Sequence, residues 1–177
     1  MSITYRSATL EDAPAVAALH ARSWRENYRG AYRDVYLDGP IDEERRAVWT
    51  ERFAEPPPNQ FVVVAEDENG LVGFACVYGG RDAEGSFLDN LHVDPDHHRE
   101  GIGSGLLAEV VEWCRERYGD QGLHLKVLSP NTGARRFYDR FGGEDRGSTP
   151  PDMPWVVEDV EVRQIVWPTL DAVTRRP

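Results

Sequence analysis

A glycine-rich segment stands between a predicted strand and a predicted helix, and its residue types are suited to binding phosphate. The segment runs from Leu91 to Leu107 and contains Gly101, Gly103 and Gly105. The first backbone N–H groups of a helix have no partner inside the helix, and the helix dipole favours anions at that end. Glycine also lets a phosphate approach the backbone closely. The segment therefore predicts a binding site for a pyrophosphate.

Two well-known phosphate motifs do not fit this segment. A Walker A loop requires a lysine directly after its last glycine, and no lysine stands there. A Rossmann fingerprint requires Gly-x-Gly-x-x-Gly, whereas Gly101, Gly103 and Gly105 are spaced one residue too short. The segment is therefore a phosphate loop of another kind.

Residues around this segment could in principle hold a metal ion instead. The candidates are His92, Asp94, Asp96, His97 and His98. Three of the five stand in a predicted surface loop, and their spacing matches no standard set of metal ligands. We therefore predict no metal site, and we interpret His97 and His98 as solvated residues or as positive charge beside phosphate.

Two blocks of residues resemble the GNAT superfamily of acetyl-CoA-dependent N-acetyltransferases. The family signature is Gln or Arg, two residues, Gly, one residue, then Gly or Ala, and it falls on residues 98–103. His98 departs from it at the first position, and the other positions fit. A second family block lies on a later predicted helix and is matched by Asn131, Ala134, Phe137, Tyr138 and Gly142. The resemblance covers most of the chain.

The resemblance implies acetyl-CoA as co-substrate and assigns residues to it. The backbone of Leu91 and Val93 would pair with the pantetheine arm as an added strand does. The backbone amides of residues 99–104 would hold the pyrophosphate, and Asn131 would bind the pantetheine end. The full set of implied cofactor-binding residues is Leu91, Val93, His98, Arg99, Glu100, Gly101, Ile102, Gly103, Ser104, Asn131 and Tyr138.

The resemblance also implies direct transfer, in which a neutral amine attacks the acetyl carbonyl without an acyl-enzyme. Tyr138 would lie near the thioester sulfur and protonate or hydrogen-bond the departing thiolate. The amine must first lose a proton, because a primary amine with a pKa near ~10 is charged at neutral pH. Asp89 is the favoured base, directly or through water, and His92 and Glu26 are alternatives. Alternation along a strand places Asp89 and His92 on opposite faces.

Aromatic residues near the N-terminus are candidates for binding the amine acceptor. Trp24, Tyr28, Tyr32 and Tyr36 recur at every fourth position. Such a stripe either packs into the core or forms the wall of a substrate pocket. We take Trp24, Tyr28 and Tyr32 as substrate-binding residues. Further wall candidates are Trp49, Trp155 and the predicted loops Gly79–Gly85 and Gly147–Trp155.

The predicted elements that must position these residues form one mixed sheet. Strands are predicted at Ile3–Ala8, Phe61–Ala65, Leu71–Tyr78, Ser86–Val93, Leu123–Leu128 and within Val156–Trp167. Helices are predicted after Thr9 and at Asp42–Phe53, Gly101–Tyr118 and Asn131–Phe141. A helix between two strands requires a parallel crossover. We therefore predict an α/β fold of GNAT type: a mixed, mostly antiparallel sheet with one parallel crossover and helices on both faces.

Composition limits the class of protein. The 177 residues suit one N-acetyltransferase domain over residues 1–177, and a net charge of −11 argues against nucleic acid and favours a cationic acceptor. No apolar run approaches the ~20 residues of a membrane span. Cys76 and Cys114 stand in apolar stretches, and residues 1–6 lack a signal-peptide pattern, so we expect a cytoplasmic protein.

The function predicted from these observations is N-acetyl transfer from acetyl-CoA to an amine of a small molecule or a peptide. The alternative is a module that binds acetyl-CoA for sensing or regulation without turnover. His98 at the first signature position keeps this alternative open. So does Lys126, because some GNAT enzymes have a glutamate base at this place. A homodimer is a further expectation, with Val156–Trp167 extending a sheet between two copies.

Overall fold

A sheet of seven strands runs through residues 2–174, the part of the chain that the computed structural model describes. The strands are Thr4–Ser7 (β1), Gln60–Asp67 (β2), Gly70–Asp82 (β3), Gly85–Val93 (β4), Leu123–Leu128 (β5), Glu144–Thr149 (β6) and Val162–Trp167 (β7). The α-helices are Ala13–Asn27 (α1), Asp34–Leu37 (α2), Ile41–Ala54 (α3), Ile102–Tyr118 (α4) and Thr132–Arg140 (α5). The strand order is β1-β2-β3-β4-β5-β7-β6.

The two central strands, β4 and β5, are parallel and are joined by α4, which confirms the predicted crossover. The other neighbouring strands in residues 2–174 are antiparallel. Within these residues β4 and β5 pair at their first positions only, Ser86 with Leu123 and Phe87 with His124. The strands then separate, so the later part of β4 faces a gap instead of a neighbouring strand.

Helices cover both faces of the sheet, as predicted. On one face, Leu106 of α4 packs into a core with Ala75 of β3. On the other face, Val16 of α1 and Trp49 of α3 pack into a second core with Phe74 of β3. Because side chains alternate along a strand, neighbouring residues of β3 serve the two cores. The fold is thus the mixed, mostly antiparallel α/β sandwich that the sequence indicated.

The segment predicted as a loop at Gly79–Gly85 is mostly strand, because β3 continues to Asp82. The glycines there serve close packing and not only a turn. A Cβ at Gly79 would lie 2.1 Å from the ring of Tyr118, so only glycine fits beneath that ring. Glycine-rich sequence was therefore a misleading signal for a loop at this position.

The C-terminal strands also differ from the prediction. β6 lies partly in the stretch predicted as the loop Gly147–Trp155, and most of its residues are exposed and polar. As an edge strand covered on neither face, it lacks the hydrophobic alternation by which strands are predicted. β7 is the strand found within Val156–Trp167, and it lies between β5 and β6. The edge of the sheet next to β7 is therefore β6 and not the segment expected to join a dimer.

Candidate active site

A large cavity lies where β4 and β5 separate. Its volume is about 1220 Å³, above the upper end of the range of about 300–1,000 Å³ for a single small ligand. The cavity is lined by every residue that the sequence assigned to the cofactor and by Asp89, His92, Trp24, Tyr28 and Tyr32. Segments far apart in the sequence therefore meet around one space that is large enough for two substrates.

The glycine-rich loop enters the cavity between β4 and α4. Asp94 begins it by accepting a hydrogen bond from the backbone N–H of Asp96 at 3.0 Å. Arg22 of α1 holds both carboxylates, at 2.7 Å from Asp94 and 2.9 Å from Asp96. Arg99 and Gly101 then adopt φ values of 72° and 83°, which turn the chain into the helix. The loop is thus held by an arginine from another element.

The glycines that follow have different roles, which sequence alone could not separate. A Cβ at Gly105 would lie 2.1 Å from the hydroxyl of Tyr5, so this glycine allows β1 to pack against α4. Gly103 lines the cavity, and a Cβ there would meet only Phe137 and Leu91, at 3.5 Å or more. The N–H groups of the first helical residues, which have no intrahelical acceptor, therefore border the cavity beside a position without a side chain.

The second sequence block places Asn131 and Tyr138 at the cavity from α5. Asn131 caps the helix, since its Oδ1 accepts a hydrogen bond from the N–H of Ala134 at 3.2 Å. Tyr138 is only 7% exposed. Its hydroxyl makes no hydrogen bond to another residue in the range 2–174. Burial, and after it the nearby Tyr28, raises the pKa of Tyr138, so the phenol is protonated at neutral pH and able to donate.

The candidate bases on β4 face the same side of the sheet, so the prediction of opposite faces was wrong. Asp89 contacts Arg52 of α3 at 2.8 Å, and His92 Nδ1 lies 2.8 Å from Ser23 Oγ of α1. The cause is a β-bulge, because the pairing with β3 shifts so that Asp89 is an extra residue. A bulge reverses the alternation that follows it. Leu88 and Leu91 accordingly pack into the same core.

A sequence signal for this bulge exists. In a regular strand with one apolar face, apolar and polar residues alternate. Here two polar residues, Asp89 and Asn90, stand together between Leu88 and Leu91. The break in alternation coincides with the bulge.

The three candidate bases have different surroundings. Asp89 lines the cavity, and its carboxylate is held by Arg52. His92 also lines the cavity, and its ring lies 4.7 Å from that of His20. Burial, and after it the charge of Arg45, lowers the pKa of His92 to about 4. Glu26 is half exposed, pairs with Arg22 at 3.8 Å and is not among the residues that line the cavity.

The aromatic residues of the N-terminal region form both a core and a wall. The rings of Trp24, Tyr28 and Tyr32 lie 5.0–5.6 Å apart, and the stack continues through Tyr36 to Trp155. They pack on a buried cluster and also line the cavity. The stripe therefore packs on a core and lines the cavity at the same time. Trp49, in contrast, is fully buried and donates to His20 Nδ1 at 2.9 Å, so it is not a wall residue.

Two arginines of α3 border the cavity and were not predicted from the sequence. The guanidinium carbon of Arg45 lies 4.9 Å from the ring centroid of Trp24, and that of Arg52 lies 5.0 Å from the ring of Trp49. Arg45, Trp49 and Arg52 are four and three residues apart, so they share one face of the helix. That spacing was the available signal. We call the part of the cavity around Trp24, Tyr28, Tyr32, Tyr36, Arg45, Arg52, Asp89, Met153 and Trp155 the acceptor half.

No group of three or more His, Cys, Asp or Glu side chains in residues 2–174 could hold a metal ion. No helix in the same range is long and apolar enough to cross a membrane.

Comparisons with known proteins identify a family model, relatives of similar sequence and solved structures of similar fold. The model of the Acetyltransferase (GNAT) family matches residues 18–143. The uncharacterized N-acetyltransferase YuaI of Bacillus subtilis (strain 168) is 29% identical over 146 residues, 80% of each chain. The L-methionine sulfoximine/L-methionine sulfone acetyltransferase of Pseudomonas paraeruginosa is 27% identical over 157 residues, 85% of each chain. The crystal structure of PaiA N-acetyltransferase from Thermoplasma acidophilum in complex with coenzyme A is similar with a TM-score of 0.74. It is 20% identical, over 93% of this chain and 98% of that one.

Proposed function

This chain belongs to the GNAT family of acetyltransferases, and we propose that it moves the acetyl group of acetyl-CoA to the amine of a small molecule or a peptide in a ternary complex. The observation that carries the proposal is the meeting of the two sequence blocks at one cavity. Residues 98–104 and the pair Asn131 and Tyr138 line the same space, where β4 separates from β5.

The residues present fit acetyl-CoA as the co-substrate. The edge of β4 at Leu91 and Val93 faces the gap, so its backbone can pair with the amides of a pantetheine arm. The N–H groups of residues 99–104 suit a pyrophosphate, and His98 and Glu100 complete the loop. Arg99 and Arg140 add positive charge to this end of the cavity. Binding thus rests on local groups that offset a net charge of −11.

The transfer needs a hydrogen-bond donor for the departing sulfur and a proton acceptor for the amine. The neutral amine forms a C–N bond with the acetyl carbonyl carbon, and the C–S bond breaks. The hydroxyl group of Tyr138 donates a hydrogen bond to the sulfur as negative charge develops there. Asp89 takes the amine proton, directly or through water, from the bulge of β4, since bulges re-aim side chains at active sites. His92, Glu26 and water are the competing acceptors.

The two cysteines support direct transfer over an acyl-enzyme. Burial raises the pKa of Cys76 to about 12, and burial also raises the pKa of Cys114. A nucleophilic cysteine requires a lowered pKa and exposure to the substrate. Neither thiol is among the residues that line the cavity.

The acceptor binds, in this proposal, against Trp24, Tyr28 and Tyr32. The relative from Pseudomonas paraeruginosa is named for acetylating amino-acid derivatives, L-methionine sulfoximine and L-methionine sulfone. This name supports a small amine as acceptor. We further propose that residues 1–177 form one such domain in the cytoplasm, residues 1 and 175–177 lying outside the described range, and that any dimer would use the β6 edge.

Acetyl-CoA binding and turnover test the proposal separately. Ligand at 100 times its Kd stabilises a protein by about 2.7 kcal/mol, which for a chain of this size raises Tm by roughly 5–10 °C. We expect that rise with acetyl-CoA, and release of free CoA thiol with amines from a mixed panel. A rise in Tm without thiol release would favour the regulatory module, and the absence of both would refute the proposal.

A further inference from the structure

The acceptor half of the cavity contains buried N–H donors that lack an acceptor. Neither Trp24 Nε1 nor Arg45 Nε has a hydrogen-bond partner in the described part of the chain, and both atoms are buried. The guanidinium carbon of Arg45 lies 4.9 Å from the centroid of the Trp24 ring. Two neighbouring side chains that line the cavity therefore each contain a buried donor without a partner.

The neighbours of Arg45 leave it only partly paired. Its side chain is 12% exposed, and its Nη2 donates to Glu44 at 2.7 Å. The Glu44 carboxylate also accepts a hydrogen bond from the Tyr36 hydroxyl at 3.0 Å. Arg52 differs, because its Nη1 donates to both Asp89 and Asn90. The position open to an anion is therefore at Arg45 and Trp24.

A buried donor without an acceptor is unfavourable, so a ligand that brings an acceptor oxygen gains binding energy at this place. A planar guanidinium matches a carboxylate particularly well. The same wall also offers apolar surface beside its two ion pairs, since Tyr28, Tyr32, Tyr36 and Trp155 present ring faces and Met153 its thioether. The wall is thus suited to a molecule with one oxyanion and one apolar group.

We propose that the acceptor is an amine that also carries a carboxylate, an amino acid with an apolar or aromatic side chain, whose carboxylate binds Arg45 and Trp24. This inference rests on the proposed acetyl transfer and names its substrate class. It adds a carboxylate to the cationic acceptor that the net charge favoured, because Arg45 keeps an unpartnered Nε although its Nη2 pairs with Glu44.

Position within the cavity agrees with this assignment. Trp24 lies 5.2 Å from Tyr28, and Tyr28 is close enough to Tyr138 to influence its pKa. The charge of Arg45 likewise acts on His92. Because Arg45, Asp89 and Tyr138 line one cavity, a carboxylate at Arg45 keeps the amine of the same small molecule in the space that the proposed reacting groups share.

Matched acceptors test the proposal with the intact protein. L-phenylalanine is compared with L-phenylalaninamide and 2-phenylethylamine, and kcat/KM is measured by release of CoA thiol. The amide loses its ammonium proton more readily than the acid does, so a preference for the acid over the amide cannot come from amine basicity. We expect kcat/KM for the acid to exceed both others by roughly 10- to 100-fold.

Variants identify the group responsible. Arg45→Gln should bring the ratio of acid to amide kcat/KM close to one, and Arg45→Lys should retain part of it. Arg46→Gln, which changes an exposed arginine on the same helix, is the matched control and should keep the wild-type ratio. Tm values that match those of the wild-type protein, both without acetyl-CoA and with it, would establish that each variant folds and binds the cofactor.

The outcomes separate the two proposals. Turnover of amines with no preference for the acid, or a preference unchanged in Arg45→Gln, overturns the inference and leaves acetyl transfer standing. No thiol release with any amine counts against acetyl transfer itself. Should Arg45→Gln fail to fold, the comparison of acid, amide and amine on the wild-type protein still decides the substrate class.

Discussion

Replacing Tyr138 with phenylalanine removes one hydroxyl group from the cavity and leaves the ring in place. The ring packs edge-on against Phe137 and Trp167, and the side chain is 7% exposed. The hydroxyl has no hydrogen-bond partner among residues 2–174, so its removal leaves no polar group of the protein unpaired. We therefore expect the free energy of unfolding of Tyr138→Phe to stay within about 1 kcal/mol of wild type.

The expected loss of rate follows from the burial of this hydroxyl. Negative charge develops on the sulfur only as the C–S bond breaks, so a donor there stabilises the transition state more than the ground state. Removing one such donor from a preorganised site costs about 10²- to 10³-fold in kcat. Because its pKa is raised by burial, Tyr138 is a good donor but a weak acid. We expect the lower value, about 10²-fold, or ~2.7 kcal/mol.

The measurement is kcat from CoA thiol release at saturating acetyl-CoA, with Kd for acetyl-CoA from calorimetric titration. We expect kcat to fall about 10²-fold while Kd changes less than about threefold. Tyr118→Phe is the control, because it makes the same chemical change at the far end of α4, outside the residues that line the cavity. It should leave both values unchanged.

Two results would refute the reasoning about Tyr138. A fall in kcat of less than about threefold would mean that the hydroxyl does not stabilise the leaving sulfur. A rise in Kd that accounts for the whole loss of kcat/KM would make Tyr138 a binding residue only.

The remaining predictions concern the loop, the fold and the base. Gly103→Ala should weaken acetyl-CoA binding about tenfold or more, because the methyl group would border the phosphate end of the cavity. Tm of the free protein should stay unchanged or rise, since the added Cβ meets only Phe137 and Leu91, at 3.5 Å or more. An unchanged affinity of Gly103→Ala for acetyl-CoA would contradict the predicted weakening of binding. Stability should fall as pH drops from about 6.5 towards 4, because the unfolded chain binds a proton at His92 that the folded chain, with its pKa near 4, does not. The free energy of unfolding should fall by up to about 3 kcal/mol over this pH range. If the dependence of stability on pH is the same in His92→Asn, His92 is not its cause. Asp89→Asn should lower kcat about 10²- to 10⁴-fold with acetyl-CoA affinity retained, and a larger loss in His92→Asn would move the base to His92.

Charge in this protein has to be considered locally. The net charge of −11 describes the whole surface and opposes the approach of a polyanion such as acetyl-CoA. The cavity differs, because its lining has no large excess of acid: Arg45, Arg52, Arg99, Lys126 and Arg140 line it together with Glu44, Asp89, Glu100 and Asp152. Short-range hydrogen bonds in a sheltered site outweigh a screened surface field. The net charge alone therefore does not determine the charge of the groups that line the cavity.

Local features of the fold were predictable from the sequence. β5 was predicted with its observed bounds, Leu123–Leu128, and α4 and α5 to within a residue or two. The glycine-rich start of α4 and the cap at Asn131 were also predicted. These features depend on interactions within a few residues, such as helix capping, periodicity and the conformational freedom of glycine. Neighbouring residues of the chain are therefore sufficient to predict these features.

Tertiary structure decided which of these features meet and which way side chains face. The bulge at Asp89 placed both candidate bases on one side, and the packing of α3 against β3 and β4 brought Arg45 and Arg52 to the cavity. The polar edge strand β6 and the roles of Gly79 and Gly105 likewise depend on partners distant in sequence. The family and the position of the glycine-rich loop could be recognised from the sequence, because the motifs that carry them are short stretches of neighbouring residues. Which side chains line the acceptor half could be seen only in the folded chain, because burial and pairing there arise from contacts between elements far apart in the sequence.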